Sequence, residues 1–160
     1  MRVLAFSDLH GSIEMVERVL ALERIFDLVI LAGDITTAGT PTELEKAIRR
    51  VEAFRKPVLA VAGNMDPLPL ERKLEQIGVS IDSRGVVIGE AGFFGVSAAP
   101  ASHLHTPNEI SEREIMSRAE AGVEGCCRGP LEDICAPCLA ERDRARSHAL
   151  GETCREHRRP

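Results

Sequence analysis

Three short apolar runs, at residues 2–6, 27–32 and 57–62, each end in a polar turn, and this repeat constrains the fold more than any other feature of the chain. The turns are Ser7-Asp8-Leu9-His10-Gly11, Gly33-Asp34 and Gly63-Asn64-Met65-Asp66. A run of strand length without polar alternation is the mark of a strand covered on both faces, which is characteristic of parallel sheets. The segments between the runs read as helices. Ile13, Val16, Val19 and Leu20 recur at helical spacing, and Thr40-Pro41-Thr42-Glu43 is a capping box with Pro at the first helical position. Leu44, Ile48, Val51 and, less regularly, Phe54 then mark one side of that second helix. A third, short helix through Leu70, Leu74 and Ile77 stops at Gly78. Strands alternating with helices predict an α/β domain with a parallel sheet.

From Val79 the texture changes. Apolar runs at 79–81, 86–88 and 93–96, with Gly85, Gly89, Gly92 and Gly95 among them, predict strands in hairpin or meander connection, and residues 97–110 are expected to form a loop. Ser111-Glu112-Arg113-Glu114 is a second capping box, opening a helix with a thin apolar face of Ile115 and Met116. After about Gly122 periodicity fails. Residues 121–160 hold seven Arg, five Cys, three Pro and no Phe.

Composition narrows the function classes. The 160 residues fit one domain, and 44% apolar content is enough for a core. A formal charge of −5 argues against general nucleic-acid binding, and five Phe with no Trp or Tyr leave little for base stacking. A phosphorylated small molecule or a nucleotide remains compatible as substrate. The longest apolar stretch, residues 28–33, is too short to span a membrane, and the first 20 residues begin as a strand rather than as a leader. A cytoplasmic protein with no membrane partner is expected. All five cysteines fall in the last 35 residues, an odd and lopsided set that is no disulfide framework.

In an open parallel sheet, functional groups gather outside the carboxyl ends of the strands, where loops converge and helix N-termini point into the crevice. Asp8, His10, Asp34 and Asn64 all fall there. Two carboxylates, an imidazole and an amide suit Mn²⁺, Fe, Zn²⁺ or Mg²⁺ and lack the thiolates of a structural zinc site. A carboxylate at the central strand end, here Asp34, could bridge two cations about 3.5–4 Å apart. Taken singly, each motif is more readily an ordinary turn or helix-entry loop. No P-loop occurs, and Gly89, Gly92 and Gly95 do not make a dinucleotide fingerprint.

Together and in this order, Asp8-x-His10, Gly33-Asp34 and Gly63-Asn64-x-Asp66 resemble the first three motifs of the calcineurin-like metallophosphoesterases. The likeness extends through residues 6–11, 31–36 and 61–67 to small prokaryotic, especially archaeal, members, whose insertion Thr106-Pro107-Asn108-Glu109 also resembles. It covers roughly residues 1–118. The resemblance implies an N-terminal portion of a metallophosphoesterase-type αββα sandwich over residues 1–120; the loss of periodicity beyond it predicts an irregular or disordered Cys/Arg-rich tail over 121–160. It implies that Asp8 and His10 hold a first metal, that Asp34 bridges, and that Asn64 holds a second metal while contacting a phosphate oxygen. Two divalent ions are expected, Mn²⁺ first and Fe, Zn²⁺, Mg²⁺ or Ni²⁺ as alternatives. The implied activity is hydrolysis of a phosphomonoester or phosphodiester by a water that the two metals activate.

The chain also departs from that pattern. Met65 stands where many members carry a His that assists the leaving group, so no catalytic acid is assigned. The later strand-end His and the closing Gly-His-x-His are missing, since no Gly-His pair occurs. His103-Leu104-His105 has the right alternation but is expected to be a solvated loop. The enzyme is therefore expected to be impaired, and an inactive metal-binding, phosphate-binding or interaction fragment is the alternative. Two readings stay open for the tail: a zinc site of Cys135, Cys138, Cys154 and His157, giving a zinc-binding adaptor, or out-of-frame translation that truncates the domain. Loss of a second half would leave sheet surface uncovered, for which homo-oligomerisation is the expected remedy.

Overall fold

The computed structural model describes residues 1–37 and 39–127. Its centre is a parallel sheet of β1 (Val3–Ser7), β2 (Leu28–Ala32) and β3 (Val58–Val61), in the order β1-β2-β3. Val3 pairs with Leu28 and Val29 with Val58, so the three strands end at one level. Helices α1 (Ile13–Leu22) and α2 (Pro41–Glu52) make the two crossovers, and α3 (Leu68–Gln76) follows β3. Right-handed crossovers between successive neighbouring strands place their helices on one face.

Alternation along each strand divides the core in two. Val29, Leu31, Val58 and Ala60 meet Val16, Leu20, Leu44, Ile48, Val51, Leu70 and Leu74 from the helices. Leu28 and Leu59 point to the other face, where Ile81 and the partly buried Val86, Ile88 and Phe93 cover them. Strands sandwiched in this way cannot alternate with polar residues, which is why the three runs read as continuously apolar. Each fully buried Leu or Val contributes roughly 1.5–3 kcal/mol by leaving water.

The capping box of α2 forms in both directions. The Glu43 amide donates to Thr40 Oγ1 at 3.3 Å, and the Thr40 amide donates to the Glu43 carboxylate at 2.7 Å. The second box forms in one direction only: the Glu114 amide donates to Ser111 Oγ, but the Glu114 carboxylate turns to Arg118.

Beyond β3 the structure corrects several expectations. Residues 79–81 do not join a hairpin; they extend the sheet, with Ser80 bridging Ala60 in parallel and Gly95 bridging Asp82 in turn. The hairpin is β4 (Val86–Ile88) with β5 (Ala91–Phe93), so its second strand begins two residues before the apolar run that suggested it. Its turn is residues 89–90, and the register Val86 to Phe93 brings the hairpin's large side chains back over the sheet. Residues 97–110 are not wholly loop, because β6 (Ala99–Pro100) and β7 (Glu109–Ile110) pair in parallel.

Helix α4 runs from Glu112 to Cys127. Its packing face explains why periodicity failed near Gly122: contact is made by small residues. A side chain on Gly122 would collide with Phe94, and one on Gly125 would meet the backbone of Gly85 at 2.6 Å. Helix and hairpin thus approach backbone to backbone, with no large apolar stripe to read in the sequence. The expected tail zinc residues Cys135, Cys138, Cys154 and His157 lie outside the described residues. No helix among the described residues is long and apolar enough to cross a membrane.

Candidate metal centre

The turns after β1, β2 and β3 are tied to one another by backbone hydrogen bonds. The His10 amide donates to the Asp34 carbonyl at 2.8 Å and the Gly11 amide to the Ile35 carbonyl at 3.0 Å, while Thr37 Oγ1 donates to the His10 carbonyl at 2.6 Å. Gly33 donates to the Val61 carbonyl at 3.0 Å, joining the second turn to the end of β3.

Within this frame Asp8, His10 and Asp34 each offer a ligand atom, and the three atoms lie within 4.8 Å of one another. Donors held about 2–2.3 Å from a single cation stand about 3–4.5 Å apart, so small side-chain rotations suffice to close them on an ion. Asp34 is buried, whereas Asp8 and His10 are exposed. All three have left-handed backbone, with φ of 54°, 43° and 46° respectively. Non-glycine residues in that region carry roughly 1–3 kcal/mol of strain each, which persists where the surroundings dictate it and clusters at functional sites. Here the surroundings are the interlocked turns, and the strain aims three donors at one point.

Asn64 follows β3 and is half-buried. The amide next to it, Met65 N, donates to Asp34 Oδ1 at 2.9 Å, which places the third turn against the second carboxylate. Gly63 permits that approach. A Cβ there would fall 2.0 Å from Asp34 Oδ1, and a Cβ on Gly33, itself at φ +82°, would meet Gly63 Cα at 2.9 Å. The Asn64 carbonyl accepts from the amide of Asn108 at 3.0 Å, which fixes the backbone that carries the Asn64 side chain.

Two residues essential to this geometry were quoted in the sequence motifs without a role. Asp66 is 1% exposed and accepts from the amides of Gly63 at 3.0 Å, Ile35 at 3.2 Å and Thr36 at 3.5 Å. It is the clamp between the second and third turns. Its signal was its place two residues after Asn64 in a tight turn, where a short carboxylate can reach free amides. Asn108 donates through Nδ2 to the Gly63 carbonyl at 3.2 Å as well as through its own amide to Asn64. Next to Asn108, the Glu109 carboxylate accepts from the amides and hydroxyls of Ser102 and Thr106. Those hydrogen bonds, the Ser102 amide first, lower the Glu109 carboxyl to about 2.

His103 and His105 do not join the donors. Both are exposed in the loop between β6 and β7, and the one group of three or more His, Cys, Asp or Glu donors among the described residues is Asp8, His10 and Asp34.

A family model described as the calcineurin-like phosphoesterase superfamily domain matches residues 1–127, and the chain belongs to that family of metal-dependent phosphoesterases. Its fold is similar to that of TT1561 of Thermus thermophilus, with a TM-score of 0.62 at 16% sequence identity, over 74% of this chain and 60% of that one. The chain thus spans about 60% of the length of that relative. Among curated proteins none matches.

Proposed function

We propose that this protein is a metal-dependent hydrolase of phosphomonoesters or phosphodiesters, working at reduced efficiency through Asp8, His10, Asp34 and Asn64. The single observation that carries the reading is the convergence of Asp8, His10 and Asp34 at the carboxyl ends of adjacent parallel strands. Divalent ions held there, Mn²⁺ first, would supply the Lewis acidity and the water nucleophile that phosphate ester hydrolysis needs near neutral pH.

The chain's own residues define what is left to do. Asp8 and His10, exposed at the rim, would hold a first ion, and buried Asp34, which lies between the first and third turns, would share its carboxylate with that ion and a second. Asn64 offers an amide oxygen to a second ion, or its N–H to a phosphate oxygen. Asp66 and Asn108 fix the third turn so that this amide is presented in one orientation. No group in the third turn is assigned to protonate a leaving group, since residue 65 is Met. Ester substrates with good leaving groups are therefore the ones expected to turn over. A soluble phosphorylated metabolite or nucleotide in the cytoplasm is the substrate class this reading favours.

A second reading is favoured by one observation: one three-donor group forms among the described residues, enough for one cation. In that reading the chain binds a metal or phosphate without catalysis. Assays with nitrophenyl phosphate and bis-nitrophenyl phosphate under added Mn²⁺, Fe²⁺, Zn²⁺, Mg²⁺ and Ni²⁺ separate the two. Slow metal-dependent release of nitrophenol that Asp34→Ala abolishes is the expected result. Turnover that survives Asp34→Ala contradicts the assignment, and metal binding without any turnover establishes the second reading.

A further inference from the structure

Away from the strand ends, three carboxylates converge on one guanidinium. Arg118 of α4 donates through Nη1 to Glu71 Oε1 at 3.2 Å and Asp82 Oδ2 at 2.9 Å, and through Nη2 to Glu114 at 2.7 Å. Glu71, on α3, is 5% exposed, and the Asp82 side chain is 6% exposed. Asp82 Oδ1 accepts from the Ser97 amide at 2.7 Å. Glu71 Oε2 is buried with no partner as long as both carboxyls are counted as acceptors.

The charges do not balance either. A single guanidinium faces Glu71, Asp82 and Glu114, and Glu75 adds a further negative charge from the same helix as Glu71. Glu71 and Asp82 lie close together, since both reach the same Arg118 Nη1, and one proton shared between them removes both difficulties: the cluster loses one negative charge, and the Glu71 carboxyl gains a hydrogen to donate to Asp82. Two carboxyls in one buried site characteristically share a proton, because both cannot ionise at such short range.

We infer that Glu71 and Asp82 form a proton-sharing carboxyl pair which, with Arg118, latches helix α4 onto the domain and loosens it when the proton is lost. The latch joins α4, through Arg118, to two elements: α3 through Glu71 and the segment after Val79 through Asp82. It also reaches toward the metal centre. Asp82 holds Ser97, whose Oγ accepts from the Ala62 amide at 3.0 Å, immediately before Gly63 and Asn64.

Burial first, then the hydrogen bond and charge of Asp82, push the Glu71 carboxyl up to about 7, against the smaller opposing effect of Arg118. Because the folded value lies above the ordinary 4.5, the stabilisation is complete below pH 4.5 and is lost as pH rises through about 7. The groups that set this response are Asp82, Arg118 and Glu75 around Glu71, with Glu114 acting through Arg118.

Hydrogen exchange of residues 112–127 in the full chain at pH 5.5, 7.0 and 8.5, corrected for the intrinsic pH dependence of exchange, tests the latch. Protection in the wild type is expected to fall roughly tenfold or more across that range. Glu71→Gln, which keeps a donor toward Asp82 at every pH, is expected to flatten the profile and to be the better protected at pH 8.5. Protection of the wild type that is constant across the range, or a Glu71→Gln profile that falls as steeply, overturns the inference. A carbon-13 titration of the Glu71 carboxyl in the wild type decides independently of any variant: a midpoint near 7 supports the latch, and one near 4.5 contradicts it.

Discussion

Two acidic clusters sit in this molecule at different depths and do different things. At the strand ends Asp8 and Asp34 stand with His10 around an open point, held there by strained backbone, with no arginine among the three donors. Between α3 and α4, Glu71 and Asp82 are buried against Arg118, which is their own cation. The same residue type can thus serve as a ligand where it stands with other donors around an open point, and as a strut where the fold brings an arginine to it. Asp34 and Asp66 repeat the contrast within one turn region. Asp34 accepts one backbone amide and keeps an oxygen for the site, while Asp66 accepts three amides.

If this contrast is right, substitutions in the buried cluster damage the fold and those at the rim damage ligand binding. Arg118→Met leaves buried Glu71 and Asp82 without their cation, and is expected to cost about 3–5 kcal/mol at pH 8, read by urea unfolding. The loss shrinks at pH 5.5, where Glu71 is protonated; an equal loss at both pH values would break the account of the cluster. Asp66→Ala strands the amides of Gly63 and Ile35 and is expected to cost about 2–3 kcal/mol by the same measurement. A cost near zero would show that the second and third turns hold together without their clamp.

Asp8→Asn is expected to change metal-free stability by less than about 0.5 kcal/mol, since Asn tolerates left-handed backbone as well as Asp does. Its Mn²⁺ affinity, measured by calorimetry, should nevertheless fall about hundredfold, because it removes a charged ligand. A large stability loss would move Asp8 from the ligand group to the struts. The smallest effect concerns Glu109, whose folded value of about 2 lies below the ordinary 4.5. The contribution of Glu109 to the loop is present above pH 4.5 and lost as pH falls through about 2, so exchange at residues 102–106 should be unaffected between pH 5 and 8. Acceleration within that window would detach the loop's order from Glu109.

What the sequence disclosed follows from where local chemistry decides structure. The three parallel strands, their order of appearance and the four strand-end residues were legible, because doubly covered strands must be apolar and a turn that carries donors must be polar. The capping box of α2 was legible for the same local reason. In the second half of the domain the strand at 86–88, its hairpin and the helix opening after Ser111 were legible, but the pairing and packing of the rest were not. Residues 79–81 pair in parallel with β3 rather than with their neighbours, and a short apolar run carries no mark of its partner. The seat of α4 was invisible because glycine against glycine leaves no hydrophobic period. Asp66 and Asn108 lay within motifs already read; the bond of Asp66 to the nearby Gly63 amide follows from its place in a tight turn, but their other partners are backbone groups far along the chain, which no side-chain pattern reports. The left-handed backbone at Asp8, His10 and Asp34 is likewise a product of interlocked turns.

Calorimetric titration of Mn²⁺ into the wild-type chain and Asp34→Asn tests whether the three strand-end side chains make a cation site. Asn keeps an oxygen to accept the Met65 amide and so preserves the turn while removing the charge. The wild type is expected to bind at least one Mn²⁺, and Asp34→Asn to bind it at least about a hundredfold more weakly with its unfolding transition unchanged. Equal affinity in the two proteins, or no binding by the wild type, would contradict that assignment.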